Sequence, residues 1–154
     1  MQKKFFRQLF VARKNFRPLT ILHVEDDEND AILLQKACER AKLQAVLHRV
    51  PDAEQARAYL TGEGVFVDRI QFPLPQAIVL DLKLPCLSGL EFLQWLRSQK
   101  EFLNVPVLVF TASLSRDDKE RALAGGANWF FVKPSSFETL VQMVGSVSFP
   151  ELNP

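Results

Sequence analysis

Four apolar, strand-like runs of this sequence each end in polar side chains that could bind an ion or take part in a reaction. In chain order these groups are Glu25 and Asp26, then Asp81, Thr111 and Lys133. The carboxyl ends of parallel strands meet at one edge of a sheet, where open α/β sheets place their ligands. If the four runs are parallel neighbours, three carboxylates, a hydroxyl and an ammonium group converge there and form a site.

The chemistry of such a site follows from its charges. Carboxylates held close together raise each other's pKa unless a cation separates them. Mg²⁺ suits this role, because it takes one or two carboxylates together with waters and a phosphate oxygen. Asp81 is then a candidate nucleophile, since carboxylates are known to form aspartyl phosphates. A phosphoryl group on Asp81 would need a metal, a hydrogen-bond donor and a fixed cation, and Thr111 and Lys133 supply the last two.

Each group also has an ordinary structural interpretation. An acidic turn commonly begins a helix, a lysine commonly lies on the surface, and Thr111 is an acceptable strand residue. Taken one at a time, these interpretations are favoured over a functional one. Four strands that all end in complementary groups are much less expected by chance, and the combination therefore favours a site.

The elements that must position these groups follow from the hydrophobic pattern. Five strand-like runs alternate with five helical patterns, and this alternation requires a parallel sheet with helices on both faces. The predicted strands are 20–24, 45–50, 77–80, 105–110 and 128–132, and the predicted helices are 29–42, 52–62, 88–99, 115–125 and one that begins near 135. The fold class is predicted to be a doubly wound, five-stranded α/β sandwich with a flavodoxin-like strand order.

Capping residues predict where the helices begin and end. The predicted N-terminal caps are Asn29 for the first helix, Asp52 with Gln55 for the second, Ser88 with Glu91 for the third and Ser135 with Glu138 for the last. Gly125 and Gly126 are predicted to close the fourth helix.

Length and composition predict one domain with a full core, because the 154 residues are 47% apolar. Residues 1–17 hold six of the 19 basic residues and no acid, which leaves 13 bases and 18 acids for the rest of the chain. A mildly acidic body argues against nucleic acid as the main partner, since phosphate contacts need a basic face. No run approaches the ~18 apolar residues that a membrane span requires.

Two cysteines, Cys38 and Cys86, are far apart and form no metal-binding or disulfide pattern. This usage indicates a reduced, cytoplasmic protein. His23 and His48 lie within predicted strands and are interpreted as structural residues.

The chain is predicted to divide into a basic N-terminal extension over 1–18, a domain over 19–147 and a C-terminal tail over 148–154. Apolar residues recur in the extension at helical spacing: Phe5, Phe6, Leu9 and Phe10. Three interpretations stay open for it, namely a docked or disordered tail, a segment for partner binding or self-association, and a membrane-surface contact. A signal peptide is not expected, because Arg13 and Lys14 interrupt any apolar run.

Over residues 19 to about 147 the chain resembles the receiver domain of bacterial two-component response regulators. The residues that carry the resemblance are Glu25 and Asp26 after the first strand, Asp81 after the third, Pro85 and Gly89 in the following loop, Thr111 after the fourth, and Lys133 with Pro134 after the fifth. Such a set, in this order and at strand ends, is strongly specific to receiver domains.

The resemblance implies that Asp81 accepts a phosphoryl group from a histidine kinase. It implies that Mg²⁺ is held by Asp26, Asp81 and the backbone carbonyl of Lys83, with Glu25 acting through a water molecule. Thr111 would bond a phosphoryl oxygen and Lys133 would pair with it.

The long connection 62–76 and the sequence 81–85 further resemble the cyanobacterial phytochrome-type response regulators, which are stand-alone receivers that often self-associate. This implies a phytochrome-like kinase as the partner. Receivers commonly carry tyrosine or phenylalanine three residues before the lysine, and here that residue is Phe130. Phe130 is expected to turn inward, without a hydroxyl bond, when Thr111 moves toward the phosphate.

A homodimer surface is expected on the face made by helix 115–125, strand 128–132 and the last helix, provided that Trp129 is exposed. About seven residues follow the predicted domain, so output is expected through protein contacts, a phosphorelay or both.

Two alternatives use the same fold or the same intermediate. Haloacid-dehalogenase-like phosphatases need a second aspartate two residues after the nucleophile, and Lys83 occupies that position here. An unphosphorylated interaction module would be expected to lose Asp81, Asp26 or Lys133, and all three are present. The sequence therefore predicts a phospho-accepting switch and not a dedicated enzyme.

Overall fold

Strands and helices alternate along the part of the chain that the computed structural model describes, residues 17–146. The strands are β1 (Leu19–Val24), β2 (Ala45–Val50), β3 (Ala77–Leu80), β4 (Val107–Thr111) and β5 (Trp129–Val132). The helices are α1 (Glu28–Arg40), α2 (Ala53–Thr61), α3 (Gly89–Ser98), α4 (Arg116–Ala124) and α5 (Phe137–Ser146), with short 3₁₀ turns at Gly64–Phe66 and Lys100–Phe102. The amphipathic pattern predicted near the start and the tail predicted over 148–154 lie outside the described residues.

All five strands are parallel and lie in the order β2-β1-β3-β4-β5. This is the flavodoxin-like order, and the predicted fold class is confirmed. The chain reverses its direction of winding between β1 and β3, so a crevice opens at their carboxyl ends. Val24 pairs with Leu80 in the register of these two strands, and the next residues, Glu25 and Asp81, therefore leave the sheet side by side.

Both faces of the sheet are covered by helices, which explains why β3 is apolar at every position. Ile78 and Leu80 belong to a core layer formed with α2, α3 and α4. Ala77 and Val79 belong to the opposite layer, formed with α1 and α5. Because β3 is central and buried on both sides, the end of this strand is a rigid point from which to present a side chain.

The helix caps match the prediction at α2 and α3 and differ at α1 and α5. Asp52 caps α2 by accepting from the Gln55 N–H, and Ser88 with Glu91 forms the predicted capping box at α3. At α1 the cap is Asp27 and not Asn29, because the Asp27 carboxylate accepts from the backbone N–H groups of residues 29 and 30 at 2.8 and 3.1 Å. The cap therefore lies two residues before the predicted one, and α1 begins at Glu28.

The start of α5 is also shifted, by one residue. The Ser136 hydroxyl accepts from the Thr139 N–H at 3.1 Å, so Ser136 occupies the capping position predicted for Ser135. Both serines can cap a helix, and in the structure the Ser136 carbonyl also accepts the first helical hydrogen bond, from the Leu140 N–H at 3.1 Å.

The long connection between α2 and β3 is held by Arg69. Its guanidinium donates to the backbone carbonyls of Tyr59, Leu60 and Phe72 at 2.7, 2.8 and 3.1 Å, respectively. The Tyr59 hydroxyl donates to the Pro73 carbonyl at 2.8 Å and fixes the end of the connection. This segment lies at the end of the sheet opposite to the predicted site.

Between residues 17 and 146, no helix combines the length and the apolar character that crossing a bilayer requires.

Candidate functional site

The carboxyl ends of β1 and β3 bring together the three predicted acidic residues. The Asp81 N–H donates to the Val24 carbonyl at 3.1 Å and continues the pairing of the two strands. Carboxylate oxygens of Glu25, Asp26 and Asp81 lie within 4.8 Å of one another. Glu25 is fully buried, Asp81 is 5% exposed and Asp26 is exposed. These three carboxylates form the acidic pocket, in which Asp81, the candidate nucleophile, is buried and Asp26 faces the solvent.

Lys133 enters this pocket from the end of β5. Its ammonium group donates to carboxylate oxygens of Glu25, Asp30 and Asp81 at 2.6, 2.8 and 2.9 Å, respectively. Its backbone N–H donates to the Thr111 carbonyl at 2.8 Å, which fixes the point where the side chain leaves the sheet. Lys133 is thus the cation that the sequence predicted for this edge, and it links three elements through one atom.

Burial and ion pairing oppose each other at Lys133 and Glu25. Burial by itself lowers the pKa of Lys133, but the hydrogen bonds that it donates to Asp30, Glu25 and Asp81 outweigh this effect, and the pKa lies well above its usual range. At Glu25 burial is the larger effect, and it raises the pKa of the carboxyl although Lys133 lowers it. The lysine is therefore charged, and burial opposes the charged form of Glu25.

Asp30 is a site residue that sequence reasoning missed. It lies in the first turn of α1, and 38% of its side chain is exposed while one oxygen bonds Lys133. Acidic residues are common in first helical turns because they interact favourably with the helix dipole. Its sequence position therefore carried no distinct signal, and only the fold, which brings the first turn of α1 within reach of the Lys133 side chain, shows its role.

Thr111 is fully buried at the end of β4, in the predicted position. Its hydroxyl oxygen accepts from the Ser113 N–H at 3.3 Å, and the Ser113 hydroxyl donates to the Asp118 carboxylate in α4. The hydroxyl of Thr111 is thus engaged with the turn that leads into α4. Ser113 and Asp118, which sequence reasoning did not single out, join this turn to the helix.

The aromatic residues of β5 pack on both sides of the sheet. Phe130 is half-buried against the layer formed with α2, α3 and α4. Trp129 is also half-buried, and it packs against the opposite layer, formed with α1 and α5. The expected dimer surface required an exposed Trp129, and that condition is not met.

Two histidines lie in the strands, as expected. Burial, followed by the charges of Lys133 and Arg49, lowers the pKa of His23 to about 3, so this imidazole is neutral at physiological pH. His48 is half-buried, and its ring lies 5.7 Å from that of Tyr59. His48 has an aromatic packing environment, whereas the His23 Nε2 lies 4.0 Å from a Glu25 oxygen at the back of the pocket.

Gly89 allows α3 to begin close to the end of β3. A Cβ atom at this position would lie 2.7 Å from the Leu82 Cα and still closer to the Asp81 carbonyl oxygen. The Gly89 N–H donates to the Leu82 carbonyl at 3.0 Å, so the backbones of the loop and the helix are in direct contact. The predicted motif glycine therefore serves to fix the backbone that carries Asp81.

Arg49, at the end of the edge strand β2, was also missed from the sequence. Its guanidinium donates to the backbone carbonyls of Glu25 and Asp26, both at 2.9 Å. An arginine on an edge strand is usually a solvated surface residue. Here the contact with the acidic turn becomes visible only once β2 is placed beside β1.

The donors of the pocket are carboxylate oxygens, which suit a hard divalent cation such as Mg²⁺ or Mn²⁺. A buried carboxylate at the switch point of a 2-1-3-4-5 sheet, with an acidic pair on one side and a lysine on the other, defines the class of aspartate-based phosphoryl-accepting domains. The family model of the response regulator receiver domain matches residues 21–145. The chain belongs to this family and is a response regulator receiver domain of two-component signalling.

Several relatives cover most of the chain. It is 34% identical over 133 residues to the probable methanogenesis regulatory protein FilR2 of Methanothrix harundinacea, a match that covers 84% of this chain and 81% of FilR2. It is similar to the phosphorylated cyanobacterial phytochrome response regulator RcpA, with 29% identity, a TM-score of 0.76 and coverage of 84% and 90% of the two chains. It is also similar to the Mn²⁺-bound form of the response regulator Rcp1 of Synechocystis, with 28% identity, a TM-score of 0.75 and coverage of 86% and 99%.

Proposed function

We propose that Asp81 accepts a phosphoryl group from a histidine kinase and that the domain, over residues 19–147, acts as a switch and not as a dedicated enzyme. The observation that carries this proposal is the position of the Asp81 carboxylate. It lies at the switch point of the sheet, 2.9 Å from the Lys133 ammonium and within 4.8 Å of the Glu25 and Asp26 oxygens. Similarity to the phosphorylated regulator RcpA supports it.

The two oxygens of Asp81 have different surroundings, which suits a nucleophile. Oδ1 accepts from the Lys83 N–H at 3.2 Å, and Oδ2 accepts from Lys133. One carboxylate oxygen attacks the phosphorus of the phosphohistidine, the phosphorus–nitrogen bond breaks, and the imidazole leaves with that electron pair. Lys133 then pairs with a phosphoryl oxygen, while Thr111 exchanges its bond with Ser113 for one to the phosphoryl group. Phe130 turns inward in the same step.

We further propose that Mg²⁺ is the cofactor, held by Asp26, Asp81 and the backbone carbonyl of Lys83, with Glu25 acting through water. The oxygen donor set supports this assignment, as does similarity to the Mn²⁺-bound Rcp1. When bound, the cation supplies positive charge against the phosphoryl oxygens.

A phytochrome-like histidine kinase is the proposed partner. The support is similarity to RcpA, which is a phytochrome response regulator. Self-association through α4, β5 and α5 is not proposed, because it depended on an exposed Trp129 and this side chain is half-buried.

Acetyl phosphate tests the proposed function without a kinase. We expect intact-mass spectrometry to show the addition of one phosphoryl group only when Mg²⁺ is present, and hydroxylamine to remove it, as it does an acyl phosphate. No addition at millimolar acetyl phosphate and Mg²⁺, by a protein that remains folded by circular dichroism, would contradict the proposal.

Asp26→Asn is expected to raise the melting temperature of the metal-free protein and to remove its stabilisation by Mg²⁺. The Lys133 ammonium bonds three carboxylates, those of Glu25, Asp30 and Asp81. Asp26 adds a further negative charge, because its carboxylate lies within 4.8 Å of the Glu25 and Asp81 oxygens. Removing one negative charge relieves repulsion by about 1 kcal/mol, or roughly 3 °C, and also removes a metal ligand. Thermal scans with and without 10 mM Mg²⁺, roughly the upper range for a weak site, measure both effects.

The control for this prediction is Glu101→Gln, which makes the same change of charge at an exposed position far from the pocket. It should change neither the melting temperature of the metal-free protein nor its stabilisation by Mg²⁺. An Asp26→Asn protein that Mg²⁺ still stabilises as strongly as the wild type would contradict the role of Asp26 as a ligand.

A further inference from the structure

We propose that Arg49 is a positioning residue, which fixes the backbone of the acidic turn and thereby orients Asp26 toward the divalent cation. The inference rests on the proposed function in one respect, namely that the cation binds at Glu25, Asp26 and Asp81. It adds a residue from the edge strand β2 that touches neither the cation nor the phosphoryl group.

The contact is made by both arms of the guanidinium fork. Nε donates to the Glu25 carbonyl and Nη2 to the Asp26 carbonyl, each at 2.9 Å. A planar fork that binds two acceptors fixes their relative position as well as their distance, which a lysine cannot do. Arg49 therefore holds two consecutive peptide groups of the turn in one orientation.

The remaining hydrogen bonds of the turn leave Asp26 dependent on this contact. The Glu25 N–H donates to the Val50 carbonyl at 3.0 Å, and the Asp27 N–H donates to the Glu25 carboxylate at 3.0 Å. Within residues 17–146, Asp26 is held through its main-chain oxygen, and its carboxylate makes no hydrogen bond or ion pair with the protein. The backbone that Arg49 holds therefore sets the direction in which the Asp26 side chain leaves the turn.

A purely electrostatic role for Arg49 predicts the opposite result. A positive charge beside the pocket repels a divalent cation, so removing it would tighten metal binding. Loss of positioning would weaken metal binding instead, because the ligands would then lose conformational entropy when the cation binds. The sign of the change in affinity thus separates the two roles.

The experiment compares Arg49→Gln and Arg49→Lys with the wild-type chain. Mn²⁺ is the probe, and its dissociation constant is read from the electron paramagnetic resonance of the free ion. We expect a rise of roughly tenfold in both variants, since Lys keeps the charge but not the fork. In the metal-free protein, we expect the Asp27 amide to exchange its hydrogen roughly tenfold faster, because the turn opens more often.

Arg69→Gln is the matched control. Arg69 also donates to several backbone carbonyls, but those belong to the connection between α2 and β3, away from the pocket. It should lower the melting temperature while leaving the Mn²⁺ dissociation constant and the Asp27 exchange rate unchanged.

An unchanged or lower dissociation constant in Arg49→Gln would overturn the inference. So would an equal rise in Arg69→Gln, which would show a general loss of stability. If the wild-type chain itself bound no Mn²⁺, the proposed metal site would fail together with the inference. Wild-type binding with unaffected Arg49 variants would reject the inference alone.

Discussion

Asp81→Asn is expected to abolish phosphorylation by acetyl phosphate and to leave the fold intact. The amide of asparagine is not a nucleophile, and its shape matches that of the carboxylate it replaces. Its oxygen can still accept from the Lys83 N–H, which bonds Asp81 at 3.2 Å in the native protein. The substitution removes the bond between Asp81 and Lys133, but the Lys133 ammonium keeps its bonds to Glu25 and Asp30, so we expect the fold to stay intact. Intact-mass spectrometry and a phosphate-affinity gel measure the loss of phosphorylation.

Asp52→Asn provides the control for this experiment. Asp52 also lies at the carboxyl ends of the strands, where it caps α2, and asparagine is an equally good cap. Phosphorylation should therefore remain at the wild-type level. A phosphoryl group retained on the Asp81→Asn protein would place the acceptor on another residue and reject the central assignment.

Lys133→Met is expected to cost about 3 kcal/mol of stability at pH 7, or roughly 10 °C in melting temperature. Methionine fills a similar volume, but it leaves Glu25 and Asp81 without their cation. The exposed fractions of these two side chains are 1% and 7%, so water cannot replace the lost hydrogen bonds. Removing one partner of a buried ion pair is costly for this reason, even where the intact pair contributes little.

The pH dependence of this variant follows from Glu25. Its pKa is already raised by burial in the native protein, and it rises further when Lys133 no longer lowers it. A carboxyl whose pKa is higher in the folded state binds a proton more readily when folded, so stability increases as the pH falls through that pKa. The deficit of Lys133→Met relative to the wild type should therefore shrink between pH 8 and pH 5.

Thermal or urea unfolding at several pH values measures that deficit. Lys119→Met, at an exposed position on α4, is the control and should change stability little at any pH. A deficit that is the same at pH 5 and pH 8 would assign the effect to packing and not to uncompensated charge.

Positions at strand ends were the most predictable part of this protein. Asp81 follows an apolar run that only a strand buried on both faces explains, and Gly89 follows at the distance a tight turn into α3 requires. The capping box of Ser88 and Glu91 was equally predictable, because it depends on two residues that are three apart in the sequence. Local rules of this kind act through the backbone and do not depend on distant partners.

Helix starts at α1 and α5 were less predictable, because neighbouring residues could each cap the helix. Asp27 and Asn29 compete at α1, and Ser135 and Ser136 compete at α5. The sequence offers both choices at each end. The structure places the cap at Asp27 and at Ser136, and local sequence rules do not distinguish these residues from their neighbours.

The amino-acid sequence by itself determined the fold class, the strand ends that carry Glu25, Asp26, Asp81, Thr111 and Lys133, and the family to which the chain belongs. Only the tertiary structure showed that Lys133 bonds Asp30 as well as Glu25 and Asp81. It also showed that Arg49 donates to the backbone carbonyls of the acidic turn. The physical reason is that hydrophobic periodicity is encoded locally, whereas a charged side chain finds its partner across strands that only folding brings together.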